Sequence, residues 1–139
     1  MEFNTDLYNK NDYEAIKILK DFLPDKIFDA HTHVFSSEAT PIDSKSYDAP
    51  KCGVMDYKSF MLDFFPGAKI VRQNAIVHPD KTMSDISSGV LLKSDKLLFE
   101  ELEKDSGNVG EIIVLPTESA EDIEKRLVHP AIKGFKCSM

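Results

Sequence analysis

The feature that most constrains this chain is the run IFDAHTHVF at residues 27–35, which combines strand-forming residues with two histidines two positions apart. Side chains alternate between the two faces of a β-strand, so strict alternation places Asp29, His31 and His33 together on one face. The opposite face is mostly apolar and can pack against helices; it carries Phe28, Ala30, Thr32 and Val34. The sequence therefore predicts a strand with one polar face that includes a pair of imidazoles.

The paired histidines predict a metal site. Imidazole is a common ligand for zinc and similar divalent metals, and two imidazoles at a strand end can point at one cation. The alternative is that His31 and His33 are surface residues of a half-buried strand. A polar face on an otherwise apolar strand costs burial free energy unless a partner satisfies it, which favours the metal site. In this interpretation Asp29 supports the ligands and is not itself a ligand.

The bulk composition is that of one globular domain. The chain has 139 residues, of which 42% are hydrophobic and 29% charged, and these values do not indicate disorder. A net charge of -7 disfavours binding to a nucleic-acid backbone. No run of about 18 apolar residues predicts a membrane span, and the amino terminus has no apolar signal segment. Cys52 and Cys137 are too few and too far apart for a disulfide framework, so we expect a cytoplasmic protein.

Hydrophobic periodicity predicts alternating strands and helices. After a polar lead-in, a helix is expected from Asn11 or Asp12, with an apolar stripe that packs on the fold, and it ends before Pro24. The further predicted elements are a helix at 54–65, a strand at 69–77, a helix between 83 and 105, a strand at 111–116, a helix capped by Ser119, and a strand at 131–139. This order predicts an α/β fold whose four strands form a parallel sheet in sequential order, curved like half a barrel.

Two connections carry weaker functional signals. The polar segment 36–53 leaves directly from the end of the histidine strand, and its length fits either a lid or a solvated insertion. His78 follows the second predicted strand beside a proline. A loop histidine in that setting is more often structural or solvated than a ligand, so His78 is not assigned to the site.

Several motifs resemble one enzyme family. FDAHTH at residues 28–33 resembles the first-strand signature of the amidohydrolase superfamily. VLP at 114–116, SAEDIE at 119–124 and HPAIKGFK at 129–136 resemble its amidohydrolase-related branch, and they occur in the family's order. The resemblance implies a (β/α)8 barrel with its site at the carboxyl ends of the strands. It divides the chain into a lead-in and helix at 1–26 and the amino-terminal half of a hydrolase barrel at 27–139.

The resemblance also implies a chemistry. His31 and His33 would bind a divalent metal, with zinc expected, that activates water against a small-molecule substrate. Lys136 falls on the fourth strand, where two-metal members carry a carboxylated bridging lysine, so it is a candidate third ligand. In one-metal members this position has another role.

The chain is shorter than the family's barrel, which needs about 250 residues. It stops inside the fourth strand, so the family's further histidines and its aspartate general base would lie beyond residue 139. We therefore expect a partial barrel with an open sheet edge, which self-associates or pairs with a missing carboxyl-terminal half. Alone it should have negligible hydrolase activity.

Three other functions remain open. A decarboxylase of the same fold would use the same metal pair. A metal phosphoesterase of the polymerase-and-histidinol-phosphatase type also opens with His-x-His, although the residues that follow Phe35 depart from its usual Ser-Asp-Gly turn. The third is a non-catalytic fragment that serves as a binding or assembly piece.

Overall fold

The computed structural model describes residues 9–36, 51–64, 69–77 and 88–137. His78, the segment 37–50 and the predicted start of the third helix lie outside these ranges. In chain order the described elements are α1 (Lys10–Lys20), β1 (Lys26–Ser36), β2 (Lys51–Cys52), α2 (Val54–Phe64), β3 (Lys69–Val77), α3 (Ser88–Glu103), β4 (Val109–Val114), α4 (Ala120–Arg126) and β5 (Ile132–Cys137).

The strands form one mixed sheet in the order β2-β1-β3-β4-β5. The four strands predicted from periodicity are β1, β3, β4 and β5; they are parallel and lie in sequential order, so the α/β class and this order are confirmed. The expectation of a sheet with only four strands, all parallel, was wrong. Lys51 and Cys52 pair antiparallel with the end of β1, inside a segment interpreted as an unstructured connection. Two paired residues are too few to leave a periodic signal in the sequence.

The helices α2 and α3 pack on one face of this sheet. The strands contribute alternate residues to the main core, and the helices cover them with aliphatic side chains: Val34, Ala75, Val77, Ile112 and Val114 lie against Val54, Leu97, Leu98 and Leu102. Ile76 and Ile113 alternate with the core residues of their strands and form a smaller cluster with Leu91. We call the face of the main core the helix-covered face; on the other face, Leu91 near the start of α3 covers Ile76 and Ile113.

The first helix, α1, packs less closely on the rest of the fold than its apolar pattern predicted. Its amino-terminal cap is Asn9, which accepts from the Asn11 backbone N–H, so the predicted start was two or three residues late. No residue of α1 is buried, and the expected packing of its apolar stripe is wrong for the part of the chain that the structure describes. The predicted Ser119 cap of α4 is confirmed, because its hydroxyl accepts the Asp122 N–H.

A buried arginine, Arg126, connects α4 to α3 and to β4. Arg126 at the end of α4 is 7% exposed and donates from Nε and Nη2 to the two carboxylate oxygens of Asp95 in α3. Its Nη1 donates to Glu118 at 2.6 Å, and its Nη2 also donates to the Ile113 carbonyl of β4 at 2.7 Å. Burial raises the pKa of Asp95, and Arg126 opposes that shift. This network fixes α3 and α4 against β4.

Candidate metal centre

The two histidines of β1 converge at one point. The Nε2 atoms of His31 and His33 are 2.8 Å apart, and the ring centroids are separated by 4.7 Å with an interplanar angle of 50°. His31 is exposed and His33 is half-buried. The predicted approach of the two rings is confirmed. Their role as metal ligands stays a prediction.

A β-bulge changes the face on which Asp29 lies. Asp29 pairs with Gln73 of β3, but Thr32 pairs with Ala75, so three steps along β1 match two steps along β3. Paired residues of parallel strands share a face, as do residues two apart on a regular strand. Asp29 and Thr32 are therefore on the same, helix-covered face. The predicted grouping of Asp29 with the two histidines was wrong, because strict alternation does not continue across a bulge.

Asp29 contacts α2 on its own face of the sheet. The Tyr57 hydroxyl of α2 hydrogen-bonds to the Asp29 carboxylate, and partial burial together with this carboxylate raises the pKa of Tyr57 to about 12. Asp29 also remains close to the histidine pair through the backbone, because its Oδ1 accepts the His31 N–H at 3.0 Å. Its contact with the site is therefore with the backbone of a predicted ligand.

The bulge peptide has a second side-chain partner. Asn74 of β3 donates from Nδ2 to the Ala30 carbonyl at 3.2 Å and to Glu111 Oε1 of β4 at 2.9 Å. Sequence analysis did not identify Asn74 or Glu111. The available signal was an asparagine inside a predicted strand, a residue type depleted from strands. Its partners depend on a strand register that a single sequence does not reveal.

Lys136 contacts the histidine pair from β5, the strand at the opposite edge of the sheet. Its Nζ lies 3.4 Å from His31 Nε2. β3 and β4 separate β1 from β5, and three strand spacings amount to about 14 Å. The two side chains therefore extend towards each other over the intervening strands.

The two ring nitrogens fit two adjacent coordination positions. With zinc–nitrogen bonds of about 2.0–2.1 Å, a tetrahedral angle separates two ligand nitrogens by about 3.3 Å and a right angle by about 2.9 Å. The observed 2.8 Å suits the smaller angle, and a slight opening of the rings would suit the larger one. Among the described residues, no group of three or more His, Cys, Asp and Glu side chains could hold a metal. As ligands, the pair would supply two of the four positions of a tetrahedral site.

Comparisons of this chain with protein-family models, with curated proteins and with solved structures find no match. The family resemblance therefore depends on the motifs in residues 27–136 alone. Among the described helices, none is both long enough and apolar enough to span a membrane.

Proposed function

We propose that His31 and His33 hold a divalent metal, with zinc expected, in a metal-dependent hydrolase of the amidohydrolase-related type. The observation that carries the proposal is the 2.8 Å approach of the two Nε2 atoms. Two uncoordinated imidazoles at this distance can share one proton, or both can direct their lone pairs at a cation. The family motif around these residues favours the cation.

The topology supports a barrel as the scaffold. β1, β3, β4 and β5 follow one another across the sheet without a reversal of direction. A doubly wound sheet would reverse at a switch point, whereas a (β/α)8 barrel continues in one direction. In the proposal, these strands are the first four of the barrel. His33 and Lys136 lie in the carboxyl-terminal halves of β1 and β5, the end of the strands where barrel enzymes carry their sites.

The histidines and Lys136 have different roles in this mechanism. A bound divalent metal supplies Lewis acidity that activates water and polarises a substrate carbonyl. Each imidazole would bind through Nε2 in its neutral form, with the proton on Nδ1. Lys136 can be a third ligand only when it is carboxylated, because a protonated amine has no lone pair. As an ammonium group it would donate to His31 Nε2 in the absence of metal, and beside a bound metal it would attract an anionic part of the substrate. We assign no general base.

A non-catalytic metal-binding role is the second candidate. It is favoured by the small number of ligands, since His31 and His33 have no third His, Cys, Asp or Glu ligand within the described ranges. A catalytic zinc normally has three protein ligands and an open position. The catalytic role therefore requires at least one further protein ligand for the metal, whereas the binding role requires only the histidine pair.

The test is the protein as its gene encodes it, including any coding sequence that continues past Met139. We expect metal content near one ion per chain and metal-dependent hydrolysis of amides, esters or lactones. His31→Ala in that protein should remove both metal and turnover and leave the circular dichroism spectrum unchanged. Metal binding without turnover would favour the binding role. Carbon dioxide release from a carboxylic acid would favour the decarboxylase, and full activity in His31→Ala would refute the proposed site.

A further inference from the structure

We propose that Asn74 and Glu111 are positioning residues that aim the His31 imidazole at His33. They would act through the peptide group that joins Ala30 to His31. The inference rests on the proposed function, because the orientation of His31 affects metal binding only if His31 is a metal ligand. Its structural content can be tested without a metal.

The bulge leaves the orientation of His31 to be fixed by side chains. Asp29 and Thr32 have ladder partners on β3, but the register skips Ala30 and His31 between them. A residue outside the ladder is not oriented by regular strand pairing. Rotation of the peptide between Ala30 and His31 would swing the His31 ring away from His33. A further restraint on this peptide is therefore required for the rings to meet.

The structure supplies that restraint on both sides of the peptide. Its N–H, which belongs to His31, donates to Asp29 Oδ1 at 3.0 Å. Its carbonyl, which belongs to Ala30, accepts from Asn74 Nδ2 at 3.2 Å. Both polar atoms of one peptide unit are thus held by side chains, one from β1 and one from β3.

Glu111 in turn fixes the asparagine. The amide nitrogen of Asn74 has two hydrogens, and it donates to Glu111 Oε1 at 2.9 Å as well as to the bulge carbonyl. The carboxylate of β4 therefore sets the direction of the Asn74 amide group. Asn74 and Glu111 therefore connect the predicted ligand to the neighbouring strands β3 and β4. Loss of groups that orient a metal ligand from behind typically weakens metal binding about 10–100-fold.

The experiment uses the full chain and two readouts. The first is the nuclear Overhauser effect between the ring protons of His31 and His33, measured without metal. The second is a Zn²⁺ titration followed by the ring signals of the same histidines. Asn74→Ala and Glu111→Ala remove the restraint, and Glu111→Gln is the conservative variant because a side-chain amide oxygen can accept the same hydrogen bond.

Asn108→Ala provides a matched control for loss of stability. Asn108 is a second asparagine that hydrogen-bonds β3, since its Oδ1 accepts the Gln73 N–H at 2.9 Å, and it is more deeply buried than the half-buried Asn74. This contact lies one residue from Asn74 but does not involve the bulge peptide. A structural role alone would make Asn108→Ala and Asn74→Ala behave alike.

We expect the ring-to-ring effect to disappear in Asn74→Ala and Glu111→Ala and to persist in Glu111→Gln and Asn108→Ala. Zinc affinity should fall about 10–100-fold in the first two variants only. An unchanged ring contact in Asn74→Ala and Glu111→Ala, or an equal loss in Asn108→Ala, would overturn the inference. If the unmutated chain binds no zinc, the proposed function fails. The nuclear Overhauser effect between the two rings then still shows whether Asn74 and Glu111 position His31. If Asn74→Ala does not fold, Glu111→Ala decides it.

Discussion

His31 Nε2 lies 3.4 Å from Lys136 Nζ, although the two residues are 105 positions apart in the chain. They belong to the first and last of four parallel strands, and two other strands lie between them. Their contact brings residues from segments 28–33 and 129–136 to one point on the sheet. The histidine pair, the bulge and this lysine together define the candidate site.

The buried arginine network predicts a large loss of stability on substitution. Arg126→Met would leave Asp95, which is 7% exposed, without the two hydrogen bonds it accepts. Removing one partner of a buried ion pair costs about 3–5 kcal/mol, so the free energy of unfolding in urea should fall by that amount. Lys125→Met is the neighbouring control, because Lys125 forms only exposed ion pairs. Equal stability of the two variants would contradict the network's role.

A side chain at Gly53 is predicted to destabilise the fold. A Cβ at this position would overlap Glu101 Oε2, and that carboxylate is 1% exposed and accepts the Val54 N–H at the start of α2. Gly53→Ala must displace it, so we expect a loss of about 1–3 kcal/mol, as for other overpacked sites. Gly134→Ala is the control, since its nearest contact would be an ordinary 3.5 Å to Glu111 Cγ. Thermal unfolding of both variants tests the difference.

The raised pKa of Tyr57 leads us to expect a loss of stability at alkaline pH. Burial and Asp29 raise its pKa from 10.0 to about 12. A group whose pKa is higher in the folded state contributes stability that is fully present below its unfolded pKa and is lost as the pH rises through the folded value. The stability difference between the unmutated chain and Tyr57→Phe should therefore shrink between pH 10 and 12.

The measurement for Tyr57 is urea unfolding as a function of pH, with Cys52→Ser as the common background. Burial also raises the pKa of Cys52, from 9.0 to about 11, so its thiol would add a second alkaline transition in an overlapping range. A stability difference that stays constant up to pH 12 would mean that neither burial nor Asp29 raises the pKa of Tyr57 in solution.

The sequence predicted those features that depend on local pattern. Residues 69–77 were predicted as a strand and form β3 with the same bounds, because a bounded apolar run with β-branched residues is a local signal. The spacing of His31 and His33, two positions apart in one strand, is also a local signal, although His31 lies in the bulge and its orientation depends on contacts with the neighbouring strands.

The features that were missed depend on partners in other strands. The displacement of Asp29 arises from the register of β1 against β3, and the contacts of Asn74 arise from β1 and β4 together. Neither register is encoded in the periodicity of a single strand. The short β2 exists because the chain returns to the end of β1, which is likewise a tertiary event.

The most direct test of the central claim is a Zn²⁺ titration of the 139-residue chain, followed by histidine ring signals in NMR spectra. We predict one weak site, centred on His31 and His33 and lost in His31→Ala and in His33→Ala. Its binding free energy should fall well short of the roughly 10–16 kcal/mol of complete structural zinc sites. His129→Ala should bind as the unmutated chain does, since His129 stacks on Phe99 away from the pair. Tight stoichiometric zinc would contradict the half-site, and binding that survives both histidine substitutions would contradict the site itself.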